Sequence, residues 1–381
     1  MPLLIEGRDA FHLGNHRVSH QYGVRRRTTL RIMLGALPAI LLIASAQAAD
    51  VPPAREADVT LRDFRFHTGE TLPELRMHYR TVGSPSGEPV LILHGTSQSG
   101  AAMMAPAFAG ALFGPGQPLD ASKYYVILPD SIGAGGSSKP SDGLRAKFPA
   151  YNYDDTVAAQ YRVVTEGLHL QHLRLVMGFS MGGMQTWLWA EQHPDFADGF
   201  VPLASQPSPM ASRNWMMRRL MVETIRHDPS YAGGDYTAVP QSLPYAIASF
   251  NVGTFGGNLG WLAQAPTAAQ ADAIVARQLA SPPQDANDWV FQWDSSHDYD
   301  AMPGLRSITR PVLVINSADD ERNPPESGIV ERVIAQLPHG EYELVPESSE
   351  TRGHGTVFMA RFYAARLGRF LANLPPEEAR P

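Results

Sequence analysis

Continuous apolar runs alternate with stretches of helical period along this chain. Five runs stand out, at 89–93, 124–128, 173–177, 199–203 and 311–315. Each is short and apolar at successive positions, as suits strands buried on both faces of a parallel sheet. Upstream, 71–82 places Leu72, Leu75, Met77, Tyr79 and Thr81 in a pattern that predicts an early strand. Residues 51–60 include Pro52 and Pro53 and read as an unstructured lead-in. Between the runs, 152–168 carries Val157, Tyr161, Val164 and Leu168 at helical spacing, with Asp154 and Asp155 near its start. A second helix is expected over 181–192, stopping before Pro194, and an amphipathic one over about 357–374. Strand–helix alternation predicts an α/β fold built on a mostly parallel sheet flanked by helices, over about 60–375. The stretch 206–300 breaks the rhythm and holds four of the six tryptophans, which predicts a helical cap inserted over the sheet.

Composition narrows the chemistry. The 381 residues include no cysteine, which excludes disulfides, thiolate metal sites and a cysteine nucleophile. The formal charge of -7 gives no basic footprint for nucleic acid. That charge is unevenly spread. Residues 1–48 hold six arginines and two acids, so the remainder carries about -11. Arg25-Arg26-Arg27, the apolar run 32–44 and Ala46-Gln47-Ala48 read as a signal peptide cleaved after Ala48. The run contains Pro38 and is too short to span a bilayer, so no stable membrane anchor is expected after cleavage. Arg26-Arg27 also fits a twin-arginine route, and the choice between routes stays open. The expected location is outside the cytoplasm, periplasmic or secreted.

The strongest chemical signal is Gly178-Phe179-Ser180-Met181-Gly182-Gly183. It follows an apolar strand and opens a helix, the context of a nucleophile elbow. A serine hydroxyl is too weak an acid to attack unaided. It needs an imidazole to take its proton and a carboxylate to orient that imidazole. Past the strand at 311–315, Asp319 and Asp320 compete for the carboxylate role, and Asp320 is favoured. His354, flanked by Gly353 and Gly355 in a loop before the last helix, is the expected general base. Two backbone N–H groups should hold the oxyanion: Met181, after the serine, and Thr96, with Ser97 as the other candidate. His94 is expected to shape that loop rather than carry protons.

These residues resemble the α/β-hydrolase superfamily, and within it the homoserine O-acetyltransferase-like branch. The resemblance is carried by His94-Gly95-Thr96, Asp130-Ser131-Ile132-Gly133, the elbow extended through Met184-Gln185, Asp320 with Pro324-Pro325, and Gly353-His354. It implies an α/β-hydrolase fold, an acylated Ser180, and Asp320 and His354 as its partners. Two features depart from that branch: Phe179 replaces a small residue, and His-Gly-Thr replaces a Leu-Thr-Gly-type loop. Acetyl-CoA and homoserine are cytoplasmic, so an exported enzyme would lack them. Water is then the expected acceptor, and the expected function is hydrolysis of an ester, lactone or related small-molecule acyl substrate, without a cofactor. Acyl transfer and a catalytically inactive binding protein are the alternatives.

Weaker signals are read conservatively. Ser131–Gly136 fails the dinucleotide spacing and reads as a turn. His297-Asp298-Tyr299-Asp300 reads as a solvated loop, and no metal is expected. Arg213 and Trp215 are candidate substrate contacts. Arg213, Arg218 and Arg219 read more readily as a charged helix face. Trp215, Met216, Phe250 and Trp261 line either the acyl pocket or the cap's own core. Oligomeric state is left open.

Overall fold

The computed structural model describes residues 51–281 and 284–375. The signal-peptide reading of 1–48 lies outside the described residues. Eight strands form one sheet: β1 (Arg55–Arg65), β2 (Thr71–Val82), β3 (Glu88–Leu93), β4 (Tyr124–Pro129), β5 (Leu175–Phe179), β6 (Phe200–Leu203), β7 (Val312–Ser317) and β8 (Gly340–Val345). Their spatial order is β1-β2-β4-β3-β5-β6-β7-β8. The strands from β4 to β8 in that order run parallel; β1 and β2 add antiparallel pairs at one edge. Every residue of β5, β6 and β7 is buried, which is why those segments are apolar without alternation.

The lead-in reading of 51–60 is overturned, because β1 begins at Arg55 and pairs with β2 as far as Arg65. Its charged residues face solvent at the sheet edge, and backbone pairing rather than an apolar stripe holds it. The third apolar run starts and ends two residues later than its composition suggests. Leu173 makes only an isolated bridge to Ala197, and the strand proper continues through Gly178 and Phe179.

The described helices are α1 (Ala109–Leu112), α2 (Tyr153–Arg162), α3 (Met181–Gln192), α4 (Ser212–Arg226), α5 (Ser242–Thr254), α6 (Asn258–Gln264), α7 (Ala268–Leu279), α8 (Ala286–Asp294), α9 (Ile329–Ile334) and α10 (Ala364–Asn373). Asn152 and Asp155 cap α2 reciprocally, and a π-helical segment, Val163–Gly167, continues it where one regular helix was expected. The expected last helix is broken into two short 3-10 turns before α10. Helices cover both faces of the sheet. Phe108, Leu112, Leu367 and Phe370 pack on one side; Val157, Trp187, Trp189 and Val330 pack on the other. Between β6 and β7, α4 to α8 enclose a separate core that includes Met221, Ile225, Leu243, Phe250, Trp289 and Trp293. Among the described residues, no helix is long and apolar enough to cross a membrane.

Register decides where chemistry can sit. Leu93 pairs with Gly178, Phe179 with Leu203, and Leu203 with Ile315. The carboxyl ends of β3, β5, β6 and β7 therefore lie side by side. The loops leaving them carry Thr96, Ser180, Ala204 and Asp320, so open α/β architecture gathers these groups at one edge.

Candidate active site

Ser180 sits between β5 and α3 with φ 56° and ψ -109°. A non-glycine residue held there costs about 1–3 kcal/mol, which the surrounding packing must impose. Two glycines make the turn possible. A Cβ at Gly178 would lie 2.3 Å from the Gly182 carbonyl oxygen, and one at Gly182 would lie 2.2 Å from the Leu93 oxygen. Strand and helix can thus cross closely enough to leave Ser180 at the apex.

The serine meets its expected partners. Ser180 Oγ is 2.7 Å from His354 Nε2, and His354 Nδ1 is 3.0 Å from both Asp320 carboxylate oxygens. All three residues are buried. Burial disfavours the charged Asp320, but the His354 interaction and the N–H groups of Asn323 and Arg322 outweigh it and hold the carboxyl below its usual range. Burial also pulls His354 below the usual imidazole value, against the opposing pull of Asp320. The resting imidazole is therefore neutral near pH 7, the form that can accept a proton.

The acidic triplet after β7 divides its work. Asp320 orients the imidazole. Asp319 accepts hydrogen bonds from Thr351 Oγ1 at 2.7 Å and Gly353 N at 3.0 Å, tying down the loop that carries His354. Glu321 accepts from His354 N at 3.2 Å and from Gly257 N at 2.6 Å, joining the same loop to the cap. The competition between Asp319 and Asp320 thus ends with Asp320 on the imidazole ring and Asp319 on the loop just before it, at Thr351 and Gly353.

The loop after β3 is fixed with similar economy. His94 is fully buried; it accepts from Ser131 N at 2.9 Å and therefore donates through Nδ1 to Gly95 O at 2.8 Å. Burial keeps it below its usual pKa, so it shapes the loop as a neutral ring. The turn at Ser131–Gly136 is the other half of this brace: Asp130 accepts from Gly100 N at 2.6 Å and Gly136 N at 2.7 Å. Gln292 of α8 accepts from Ser97 N at 2.9 Å and donates to Gly133 O. Of the two candidates, Ser97 N–H is committed to Gln292, whereas Thr96 N–H has no hydrogen bond among the described residues. Met181, the first residue of α3, supplies a helix N-terminal N–H beside Ser180.

A cavity of about 290 Å³ opens onto Ser180, lined by Thr96, Phe179, Phe255, Trp261, Trp293 and Arg322 among others. Phe179, the residue that departs from the family pattern, packs its ring 5.4 Å from the His354 ring and forms one wall. Another cavity of about 450 Å³ shares Ser97, Asn251 and Gln278 with the first and is otherwise lined by cap residues such as Leu243 and Ile247.

The expected substrate contacts need correction. Neither Arg213 nor Trp215 lines the cavity at Ser180. Arg213 is exposed at the start of α4 and donates to Glu321 O at 2.7 Å, and Trp215 is half-buried one residue beyond Asn214. No residue of α4 is among those lining that cavity. Met216 points outward at 58% exposure. Trp261 does line the cavity, whereas Phe250 belongs to the cap core. Arg218 is no member of a charged helix face: it is fully buried and stacks over Trp293. Arg322, Trp293, Asn251 and Gln278 were missed. Only the place of Arg322, two residues past the elected aspartate, offered a signal. Asp298 of the former metal candidate accepts from Asn152 Nδ2 at 2.8 Å.

A sequence profile described as alpha/beta hydrolase fold matches residues 88–349, more than half of the chain. The chain belongs to the α/β hydrolase fold family. Among its relatives, a probable acyltransferase of Methanothermobacter thermautotrophicus is 27% identical over 70% of this chain and 83% of that protein. A homoserine O-acetyltransferase of Haloarcula marismortui is 32% identical over 47% of this chain and 48% of that protein. The chain thus spans about half the length of the homoserine O-acetyltransferases it matches. The crystal structure of the acetyl esterase MekB superposes with a TM-score of 0.73 at 21% identity, covering 84% of this α/β hydrolase and 97% of the esterase. At that identity the likeness establishes the fold.

Proposed function

We propose that this α/β hydrolase is an exported serine hydrolase that cleaves an ester, lactone or related small-molecule acyl substrate. The observation that carries the reading is the hydrogen-bonded chain from Ser180 through His354 to Asp320, opening onto a cavity. In this reading Ser180 Oγ attacks the acyl carbon while His354 Nε2 takes its proton. The oxyanion is held by the N–H groups of Thr96 and Met181. His354 then gives the proton to the leaving alcohol, and the acyl group stays on Ser180. Water attacks the acyl-enzyme with His354 again as base, releasing the acid and free Ser180.

Export rests on the residues of 1–48 alone, and it is what favours water over an acyl-acceptor alcohol. The homoserine O-acetyltransferase relatives favour a second reading, in which the same acyl-enzyme is discharged by an alcohol. An inactive binding protein would have no need of a serine held in a costly conformation against a histidine.

The test uses a short p-nitrophenyl ester. The wild-type protein should release acid without any added acceptor, and Ser180→Ala should lose both turnover and fluorophosphonate labelling. Product that forms only when an alcohol acceptor is supplied would establish the acyltransferase reading. Undiminished turnover in Ser180→Ala would remove both.

A further inference from the structure

Arg322 is an unusual wall for an acyl pocket. Its guanidinium lies against the Phe250 ring at 4.5 Å and the Phe255 ring at 5.3 Å, with Trp293 at 5.8 Å. Its Nε donates to Thr254 Oγ1 at 3.1 Å, and the residue lines the same cavity as Ser180. Arg218 stacks on Trp293 at 4.8 Å. It donates only to neutral groups, Asn214 Oδ1 at 3.0 Å and Ser296 Oγ at 3.2 Å, and its buried NH2 has no partner among the described residues. Neither guanidinium makes a salt bridge among the described residues. Of the acids whose charge acts on Arg322, Asp320 is committed to His354, and Glu321 accepts from the Gly257 and His354 backbone N–H groups. Two buried cations without a paired carboxylate are expensive, and a protein retains them where an anion completes the site.

A second observation is independent of the arginines. Three residues that line the cavity, Thr96, Trp261 and Trp293, also carry buried side-chain donors (Oγ1, Nε1 and Nε1) with no hydrogen-bond partner among the described residues. Buried polar groups in native proteins are almost always satisfied, so unpaired donors on residues of one cavity wall make that wall polar rather than purely aromatic. A wall that holds a cation and such donors suits an anion better than an alkyl chain. Burial and the nearby Arg218 pull Arg322 down to about 9, which still leaves it charged at neutral pH.

We infer that the pocket at Ser180 takes an acyl substrate bearing a carboxylate, held by Arg322 against its aromatic cage. The inference deepens the hydrolase reading and rests on it for the words acyl substrate, but carboxylate binding can be measured without turnover. The experiment is calorimetric titration of Ser180→Ala with monomethyl glutarate and, separately, with neutral dimethyl glutarate. The monoanion should bind about 10- to 100-fold tighter, as expected for a charge-assisted pair in a buried site. Arg322→Met should abolish the difference, and Arg322→Lys, which keeps the charge but not the planar fork, should restore part of it. Equal binding of the two ligands, or a preference untouched by Arg322→Met in protein that still melts cooperatively, would overturn the inference. Should Arg322→Met fail to fold, the Lys variant decides: a preference as large as with arginine removes Arg322 from the account.

Turnover in the wild-type protein then distinguishes where the charge lies. Mono-p-nitrophenyl glutarate over p-nitrophenyl valerate tests a carboxylate on the acyl side, and 4-acetoxybutyrate over butyl acetate tests one on the alcohol side. A preference of about tenfold or more in either pair supports the inference, and none in both opposes it. Failure of Ser180 to be acylated by any ester would remove the hydrolase reading while leaving a carboxylate site measurable by titration.

Discussion

The carboxyl edge of the sheet and the helical cap meet at Ser180, but they are built differently. At the sheet edge, position comes from backbone. Leu93, Phe179 and Leu203 are locked in register, and the loops after β3, β4, β7 and β8 are tied by N–H groups donating to side chains: Gly100 and Gly136 to Asp130, Arg322 and Asn323 to Asp320, Gly353 to Asp319. In the cap, position comes from aromatic packing. Trp289 stacks on Trp293, Phe250 meets Trp293 edge-on, and Arg218 and Arg322 lie against those rings. The difference teaches a division of labour. In the proposed function the sheet presents the nucleophile, and the cap decides what reaches it.

The largest expected effects belong to the sheet edge. Asp320→Asn keeps the volume but lets the imidazole take the wrong tautomer, so kcat should fall about 10,000-fold with little change in KM. Asp319→Ala removes the acceptor of Gly353 N and Thr351 Oγ1 while leaving the His354 ring pair intact. A misplaced base costs less than a missing orienter, so a fall of about 10- to 100-fold in kcat is expected. Equal losses in the two variants would erase the distinction drawn between those carboxylates.

The acid limb of kcat/KM joins the two regions. His354 must be neutral to accept the Ser180 proton, and burial holds its pKa below the ordinary imidazole value. The acid limb should therefore lie at lower pH than an ordinary imidazole would give, with activity falling about tenfold per unit below it. Arg322 contributes to the depression, after burial. Arg322→Met should thus move the limb to higher pH, while a limb unmoved by that change would separate the cap wall from the base.

Gln292 tests the brace from the cap to the loop of Thr96. Gln292→Leu leaves Ser97 N–H without its acceptor, which should cost about 1–3 kcal/mol in thermal or urea unfolding and lower kcat by about tenfold or less. The smallest effect is expected at Trp215→Ala, where kcat/KM with a short ester should stay within about twofold. A large loss there would return Trp215 to the pocket.

The same division explains what could be read from the chain. The elbow was legible because a serine with glycines two before and two after it, between an apolar strand and a helix, has a steric meaning that needs no tertiary contact. His354 and Asp320 were legible by chain order and by their place in loops after strands. The cap was legible only as a break in rhythm. Charged residues are read as solvent-facing, so the burial of Arg218 and Arg322 against tryptophan and phenylalanine left no pattern in the sequence. Strand β1 was missed for a related reason. Its Glu56, Asp58, Arg62 and Asp63 suit an exposed edge, and what holds it is main-chain pairing with β2.

The central claim is that Ser180 carries the acyl group between substrate and water. Rapid acid quench after mixing with p-nitrophenyl acetate, followed by peptide mass spectrometry, tests it most directly. The account predicts one acetyl group on the peptide containing Ser180 in the wild-type protein, and none on that peptide in Ser180→Ala. Equal acetylation in both proteins, or acetyl found only elsewhere while the ester is turned over, would contradict it.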